Sequence, residues 1–408
     1  MAEETVISFE DIRFVQEKGR VRGVFQQRYF FSLASDELAA IGAFTVEDGC
    51  IVFAEREKRA WNKFMPLLDK GLAALTHGVR NKPCVYIHKE SGVPLVGSNE
   101  FGIIDRGTNV LEVKPLTGCN LSCSFCSVGE GENDKRDVLV QEEYLVEVFS
   151  QVARLKRHPV EANIGPQGEP LLYPRLVALV RDLKRRGAAV VSMNTNGTLL
   201  HERLIDALGE AGLDRINLSL HTFDQSLNDR LMGGVQDLRR LQEMIRYCAG
   251  KIDVLLTPVL LPGLNDHSLD ELIVLAKGIK NRHWPSIGVQ NFLHYPGGRN
   301  PGVKERSWEA FYALLREKER QHGIELTMKG NQRELFNICP DQSLPKPFRK
   351  GEVVTVTLRV PGRDKQEWLG DADERVVTVR ECRDGKEEKR VKVRLLRDKH
   401  NIFAGVPA

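Results

Sequence analysis

At 408 residues, 41% hydrophobic and 28% charged, the chain is long enough for two or three domains and polar enough to fold in water. No apolar run reaches the ~18 residues that cross a bilayer, and the acidic, polar start MAEETVISFEDIRF reads as mature protein, so a cytoplasmic protein with no membrane partner is expected. A net charge of +3 is too small to make the whole chain a nucleic-acid binder, which leaves the distribution of charge as the informative quantity.

Residues 1–108 form a first block. Strand-like runs cover Ala43 to Val46, Cys50 to Phe53 and Cys84 to Ile87, and Trp61, Phe64, Met65, Leu68 and Leu72 recur at the spacing of a helix over Glu57 to His77. Cys50 and Cys84 sit in apolar surroundings and read as core. Nothing here carries chemistry, so the block is an α+β N-terminal domain of unassigned role.

From residue 109 to 330 strands and helices alternate. The expected strands are Asn109 to Lys114, Val160 to Ile164, Ala188 to Met193, Arg215 to Leu220, Ile252 to Val259 and Ser286 to Asn291. Helices are expected over Glu142 to Arg157, Leu176 to Arg186, His201 to Ala211, Leu238 to Cys248, Ser268 to Ile279 and Trp308 to Arg320. Apolar strands alternating with amphipathic helices predict an α/β fold with a parallel sheet. In such barrels, function gathers on the loops that follow strand C-termini.

The loop after the first strand, Thr117-Gly-Cys-Asn-Leu-Ser-Cys-Ser-Phe-Cys-Ser127, holds Cys119, Cys123 and Cys126. Four-iron clusters usually take four thiolates. Three close thiolates leave one iron open, and an open position separates a catalytic metal site from a structural one. Zinc would call for a second Cys or His pair, but Cys50, Cys84, Cys248, Cys339 and Cys382 are scattered singly. A disulfide framework does not suit a chain of this length without a signal peptide.

Polar groups collect at later strand ends. Gly165-Pro-Gln-Gly-Glu-Pro170 follows the second strand, where glycine permits close backbone approach and the carboxylate suits a cationic ligand; an ordinary Gly-Pro turn is the alternative. The third strand ends in Asn194-Thr-Asn-Gly197. The fourth carries Asn217-Leu-Ser-Leu-His221, whose Asn217 and Ser219 share one face, the expected barrel lumen. His221 reads equally as a capping, packing or catalytic residue. Leu261-Pro-Gly-Leu-Asn-Asp266 is a glycine-containing turn after the fifth strand, and Gln290 and Asn291 need partners, from a ligand or from the core, if buried in the sixth.

After the Pro-rich segment Ser343-Leu-Pro-Lys-Pro-Phe348, residues 345–408 read as a small all-β domain. Val353 to Val360, Val376 to Cys382 and Val391 to Leu395 alternate apolar and polar side chains, with turns at Pro361-Gly-Arg363, Leu369-Gly-Asp371 and Asp384-Gly-Lys386. Residues 346–408 hold 16 Lys+Arg against 11 Asp+Glu, so positive charge concentrates there, notably at Lys389, Arg390, Lys392, Arg394, Arg397 and Lys399.

The CxxxCxxC spacing, with Phe125 before the last cysteine, resembles the signature of the radical S-adenosylmethionine (radical SAM) superfamily, and Gly165–Pro170 resembles its "GGEP" motif with Gln167 in place of the first glycine. The resemblance covers residues 109 to about 300, with its pieces in family order. It implies a partial (β/α)6 barrel and a [4Fe-4S] cluster on Cys119, Cys123 and Cys126. It also implies S-adenosylmethionine (SAM) contacts from Phe125, Gly168, Glu169, Pro170, Asn194, Asn196, Asn217, Ser219, Gly263, Asn265 and Gln290. Reductive cleavage of SAM to a 5′-deoxyadenosyl radical follows, with a low-potential electron donor such as ferredoxin or flavodoxin. Pro347-Phe-Arg-Lys-Gly-Glu-Val-Val354 and Asn401-Ile-Phe-Ala-Gly405 resemble a TRAM domain, a small OB-like RNA-binding β-barrel. That implies a partner RNA, in particular tRNA, and an enzyme, transferase or oxidoreductase, that modifies a C–H bond of a nucleoside. Phe348, Trp368 and Phe403 are candidates to stack on bases. Cys339, just after the barrel, is a candidate methyl carrier, hydrogen-atom donor or capping thiol, or a small buried hydrophobe. A peptide or metabolite substrate and a non-catalytic iron–sulfur RNA-binding protein are the competing readings.

Overall fold

The computed structural model describes residues 3–131, 134–327 and 332–408; the expected domain limits at residues 1 and 330 lie outside the described residues. The N-terminal part is built on two sheets. One pairs the strands Thr5–Ile7, Cys50–Phe53 and Phe44–Glu47; the other has six strands in the order Asp137–Val140, Lys82–Ile87, Thr76–His77, Tyr29–Ala34, Arg20–Phe25 and Ile12–Glu17. The helix Glu57–Ala73 covers them through Phe64 and Leu68 and stops short of the expected His77, which ends the short strand Thr76–His77 instead. Phe64 is fully buried among the rings of Phe9, Phe14 and Phe53. Four strands between Thr5 and Ala34 were not anticipated, although Val21 and Phe25 show period-2 burial. Most unexpected is Asp137–Val140. It follows the cysteine loop in sequence, yet pairs in parallel with Lys82–Ile87, so this sheet draws on residues from both sides of the boundary expected at 108.

The central sheet has the order Asp253–Leu256, Arg215–Leu218, Ala188–Thr195, Val160–Ile164, Val110–Lys114, Gly102–Asp105. Its first five strands are parallel and lie in chain order, and Gly102–Asp105 closes one edge antiparallel. The fifth strand breaks at Thr257-Pro258. Beyond the break Val259–Leu260 pairs with Gln290–Asn291, and Leu256 bridges Ile287. Leu111, Val113, Ala162, Ile164, Val191, Met193, Ile216 and Leu218 are buried on one face, against the helices Glu142–Ala153, Leu176–Arg185, Glu202–Ala211 and Leu238–Tyr247. Leu269–Gly278 and Trp308–His322 complete the expected helices, and Gln225–Met232 is additional. The additional helix is capped at both ends, Asp224 accepting from the Leu227 N–H and Gly233 taking the left-handed conformation. Among the described residues no helix is long and apolar enough to cross a membrane.

The C-terminal part is a closed five-stranded barrel of Val353–Pro361, Trp368–Ala372, Arg375–Val379, Phe403–Pro407 and Arg390–Arg397. Val356, Leu358, Val377, Val379, Val393, Leu395 and Phe403 fill it. Phe403 is fully buried, with Phe348 packed edge-on against it at 5.5 Å, and Trp368 is half-buried beside the Gly385 turn. Of the expected base-stacking trio, Phe403 is therefore committed to the barrel's own packing, while Phe348 and Trp368 pack against the core and stay half-buried.

This barrel is fastened to the remainder by backbone hydrogen bonds, Val376 N to Val96 O and Phe403 N to Gly97 O. Gly97 has φ +129°, and a Cβ there would lie 2.2 Å from the Val376 carbonyl oxygen. Replacing it with alanine is expected to cost about 2–4 kcal/mol through overpacking and strain. Limited trypsin digestion checks this: Gly97→Ala should release the C-terminal barrel well before the parent protein does.

Candidate functional site

The cysteine loop leaves the C-terminal end of Val110–Lys114, where the alternation of strand and helix placed it. It has no regular structure, so its backbone carbonyls must find donors elsewhere. Arg80, from the N-terminal part, donates to the carbonyls of Cys119 (3.2 Å) and Asn120 (3.0 Å). Arg299 donates from its backbone to Cys126 O (2.8 Å) and from its guanidinium to Cys123 O (3.1 Å) and Gly129 O (3.2 Å). The end of the helix Gln225–Met232 takes the N–H groups of Ser122 and Ser124. Thr117, fully buried, ties the root of the loop to Val138 through both backbone and hydroxyl.

Burial pushes the Cys119 thiol well up and that of Cys123 up to about 12, and each is raised further by its neighbouring cysteines. Buried, mutually close thiols of this kind surrender their protons to a cationic centre, as metal binding requires. Among the described residues no three donor side chains close round a single ion; a four-iron cluster instead takes one thiolate per iron. The guanidinium groups of Arg80 and Arg299 at the loop suit the negative charge such a centre would carry.

Gly165–Pro170 lies directly on this loop. The N–H of Glu169 donates to Gly118 O at 2.8 Å, and a Cβ on Gly168 (φ +65°) would fall 2.6 Å from that same oxygen. The Glu169 carboxylate is buried and accepts from Thr195 Oγ1 (2.6 Å), Asn196 N (2.8 Å) and Leu171 N (3.0 Å). Burial pushes it up to about 7, while those three donors pull the other way. Pro170 opens the short turn Pro170–Leu172. Asn196 reaches back to Asn120 Oδ1 at 3.0 Å, joining the end of the third parallel strand to the cysteine loop.

Asn194 and Asn217 share the sheet face opposite the apolar one, where their side chains are part of a hydrogen-bonded ring. Asn217 donates to Asn194 (2.7 Å), Asn194 to Asn163 (3.1 Å), and Asn163 to Ser192 (2.8 Å). Ser192 donates to Glu161, and Arg215 closes the ring on Glu161 (2.6 Å) and Asn217 (2.9 Å). Glu161, Asn163, Ser192 and Arg215 were not anticipated, although polar residues alternating through Val-Glu-Ala-Asn-Ile and Arg-Ile-Asn-Leu carried the signal.

The remaining expected residues divide. Phe125 packs edge-on against His221, ring centroids 4.8 Å apart. His221 is buried and accepts the Val259 N–H on Nδ1, and desolvation lowers its pKa to about 4, so it is a neutral packing residue. Asn265 is buried with its amide spent on Leu261 N, His221 O and Val259 O, so its side chain braces the turn where a ligand contact was expected. Ser219 is half-buried at the strand end, and Gly263 (φ +80°) and Gln290 are exposed. Cys339 is misplaced for chemistry at the cluster. Its backbone pairs with Asn109, at the N-terminal end of the strand whose C-terminal end carries the cysteines. Arg80 and Arg299 were missed, because nothing local in the sequence marks a residue that braces a distant loop.

Three thiols on a loop at the C-terminal end of a parallel sheet, with a glycine-rich acidic loop pressed against them, define an α/β enzyme site built for a metal cluster. The Radical SAM superfamily profile matches residues 113–276. An uncharacterised protein of Methanocaldococcus jannaschii is 35% identical over 87% of this chain and 89% of its own length. GTP 3′,8-cyclase of Rippkaea orientalis is 30% identical over 54% of this chain and 67% of its own, and that of Chlorobaculum tepidum 32% identical over 47% and 56%. The chain belongs to the radical SAM superfamily, whose cofactors are a [4Fe-4S] cluster and SAM. Among solved structures, Streptococcus suis SuiB bound to S-adenosylmethionine aligns with a TM-score of 0.40 at 18% identity, covering 78% of this chain and 72% of that one. The methyltransferase TsrM from Kitasatospora setae, with cobalamin and a [4Fe-4S] cluster, aligns with a TM-score of 0.37 at 15% identity, over 46% and 35%.

Two outcomes are expected. Gly168→Ala wedges the acidic loop off the cysteine loop, and a displacement near 1 Å should lower 5′-deoxyadenosine formation about 100-fold, measured on the anaerobically reconstituted protein. For His221 the folded pKa of about 4 lies below the ordinary 6.5, so the unfolded chain binds the proton first. Its contribution, on the order of 3 kcal/mol, is complete above pH 6.5 and is lost as pH falls toward 4. Urea midpoints at pH 7 and pH 5 should therefore differ more for the parent than for His221→Asn.

Proposed function

We propose that this protein uses radical SAM chemistry to modify a C–H bond of an RNA nucleoside, tRNA being the first candidate, with the C-terminal barrel as the RNA-holding module. One observation carries the reading. On the strand Arg390–Arg397 the exposed Arg390, Lys392 and Arg394 alternate with the half-buried Val391 and the buried Val393 and Leu395, and they pair with no carboxylate among the described residues. An unneutralised basic stripe on a small closed barrel is the electrostatic footprint of phosphate binding, and it supports the TRAM-like reading. Phosphate contacts, not base stacking, would carry the affinity, since Phe403 is spent in the core.

The five in-order parallel strands, continued through the pairing of Val259–Leu260 with Gln290–Asn291, favour a six-unit partial barrel whose open end faces the cluster loop. Bound together, the cluster and SAM supply hydrogen-atom abstraction from an unactivated carbon. Cys119, Cys123 and Cys126 would hold the cluster. The Gln167–Pro170 loop, Asn196, Ser219, Gly263 and Gln290 would line the SAM side, and Arg80 and Arg299 fix the loop. A ferredoxin- or flavodoxin-like donor would deliver the electron. A free purine nucleotide is the second reading, favoured by the relatives named GTP 3′,8-cyclase.

The test reconstitutes the protein anaerobically, adds dithionite and SAM with total tRNA or with GTP, and analyses 5′-deoxyadenosine and digested nucleosides by mass spectrometry. A mass change in one tRNA nucleoside is the expected result; consumption of GTP with unaltered tRNA would replace RNA by the free nucleotide. Reversing three charges in R390E/K392E/R394E should weaken RNA binding and flatten the slope of log affinity against log salt by about two or more.

A further inference from the structure

Arg363, in the turn that follows the barrel strand Val353–Pro361, is among the bulkiest fully buried side chains of the described residues, 1% exposed although it carries a charge. It leaves its own barrel to reach the catalytic part. Its guanidinium grips Glu130 in the two-pronged geometry of an Arg–carboxylate pair, Nη1 to Oε1 at 2.6 Å and Nη2 to Oε2 at 2.7 Å. Nη1 also lies 3.2 Å from Glu100, and Nε donates to Arg136 O at 2.9 Å. Arg136 answers with its own N–H to Arg363 O.

Glu130 lies four residues beyond Cys126, on the same loop, and is 3% exposed. Besides Arg363 it accepts a hydrogen bond from Nε2 of Gln167. Gln167 stands in the Gly165–Pro170 loop, next to the glycine that touches Gly118. A carboxylate paired with arginine only accepts, so Nε2 must face Glu130 and the amide cannot flip. Gln167 Oε1 is thereby turned away from Glu130. The residue is 2% exposed, and this oxygen has no hydrogen-bond partner among the described residues. A buried acceptor without a donor is costly, and SAM, which the function proposed above places at this loop, carries an ammonium donor.

We propose that Arg363 is a positioning residue for SAM: it acts through Glu130 to orient Gln167 as an acceptor for a donor group of the cofactor, so docking of the C-terminal barrel is a condition for tight SAM binding. The inference rests on the radical SAM reading and adds that the substrate-holding module and the cofactor loop share one buried carboxylate.

The test measures anaerobic equilibrium binding of SAM to reconstituted protein, alongside iron content and trypsin sensitivity. R363Q alone would strand a buried carboxylate, so the double variant R363Q/E130Q removes both charges together, and Q167L leaves the Arg363–Glu130 pair intact. Both variants should keep their iron while the Kd for SAM rises about tenfold or more. R363K, which restores the charge but not the fork, should show a smaller loss. Unchanged SAM affinity in Q167L and in the double variant overturns the proposal. If the double variant releases its barrel to trypsin, Q167L alone decides. A wild type that binds no SAM would instead bring down the radical SAM reading itself.

Discussion

A loop that holds three thiols at a strand end has no ladder of its own hydrogen bonds, so its shape must be imposed through its carbonyl oxygens and its two roots. Here the imposition comes from every part of the chain. Arg80 arrives from the N-terminal sheet, Arg299 from beyond the sixth strand position, the helix Gln225–Met232 from the middle of the central part, and Arg363 from the C-terminal barrel. The strand that follows the loop, Asp137–Val140, is drawn into the N-terminal sheet. The three blocks serve one constraint, the position of Cys119, Cys123 and Cys126.

The same logic explains where the buried charges are. Lys156–Asp105, Arg363–Glu130 and Lys82–Asp137 are all largely shielded from water, and each joins residues far apart in sequence. Desolvating such pairs returns little net stability. What they supply is registry, since an unpaired partner would be penalised heavily. Asp105 shows it well, accepting from Lys156, from Gly107 and from the Leu344 N–H that begins the approach to the C-terminal barrel.

The central sheet separates packing from chemistry by the two-residue period of a strand. One face carries Leu111, Ala162, Val191 and Ile216 into the helical layer. The other carries the ring of Glu161, Ser192, Asn163, Asn194, Asn217 and Arg215. The hydrogen-bonded ring gives most of its polar atoms partners within the sheet, although Arg215 Nη1 is buried with no hydrogen-bond partner among the described residues.

How much of this was legible follows from the range of each interaction. Periodicity showed the parallel strands and their helices, because burial of one face repeats locally every two or 3.6 residues. Spacing alone singled out Cys119, Cys123 and Cys126 as candidate cluster ligands, because all three lie within one short loop. It did not reveal that the Asn265 amide braces its own turn or that the Cys339 backbone pairs with Asn109, at the opposite end of the strand from the cysteine loop, because neither fact has a local signature. The N-terminal meander was missed because its strands are short and broken by charges. By itself, then, the sequence determined the succession of elements, the three thiols and the basic end, all of which are set by near neighbours along the chain. Only the tertiary structure decided which distant arginines hold the cysteine loop and that Arg363, Glu130 and Gln167 form one chain, because these pairings, 37 to 233 residues apart in sequence, are fixed by how the blocks pack.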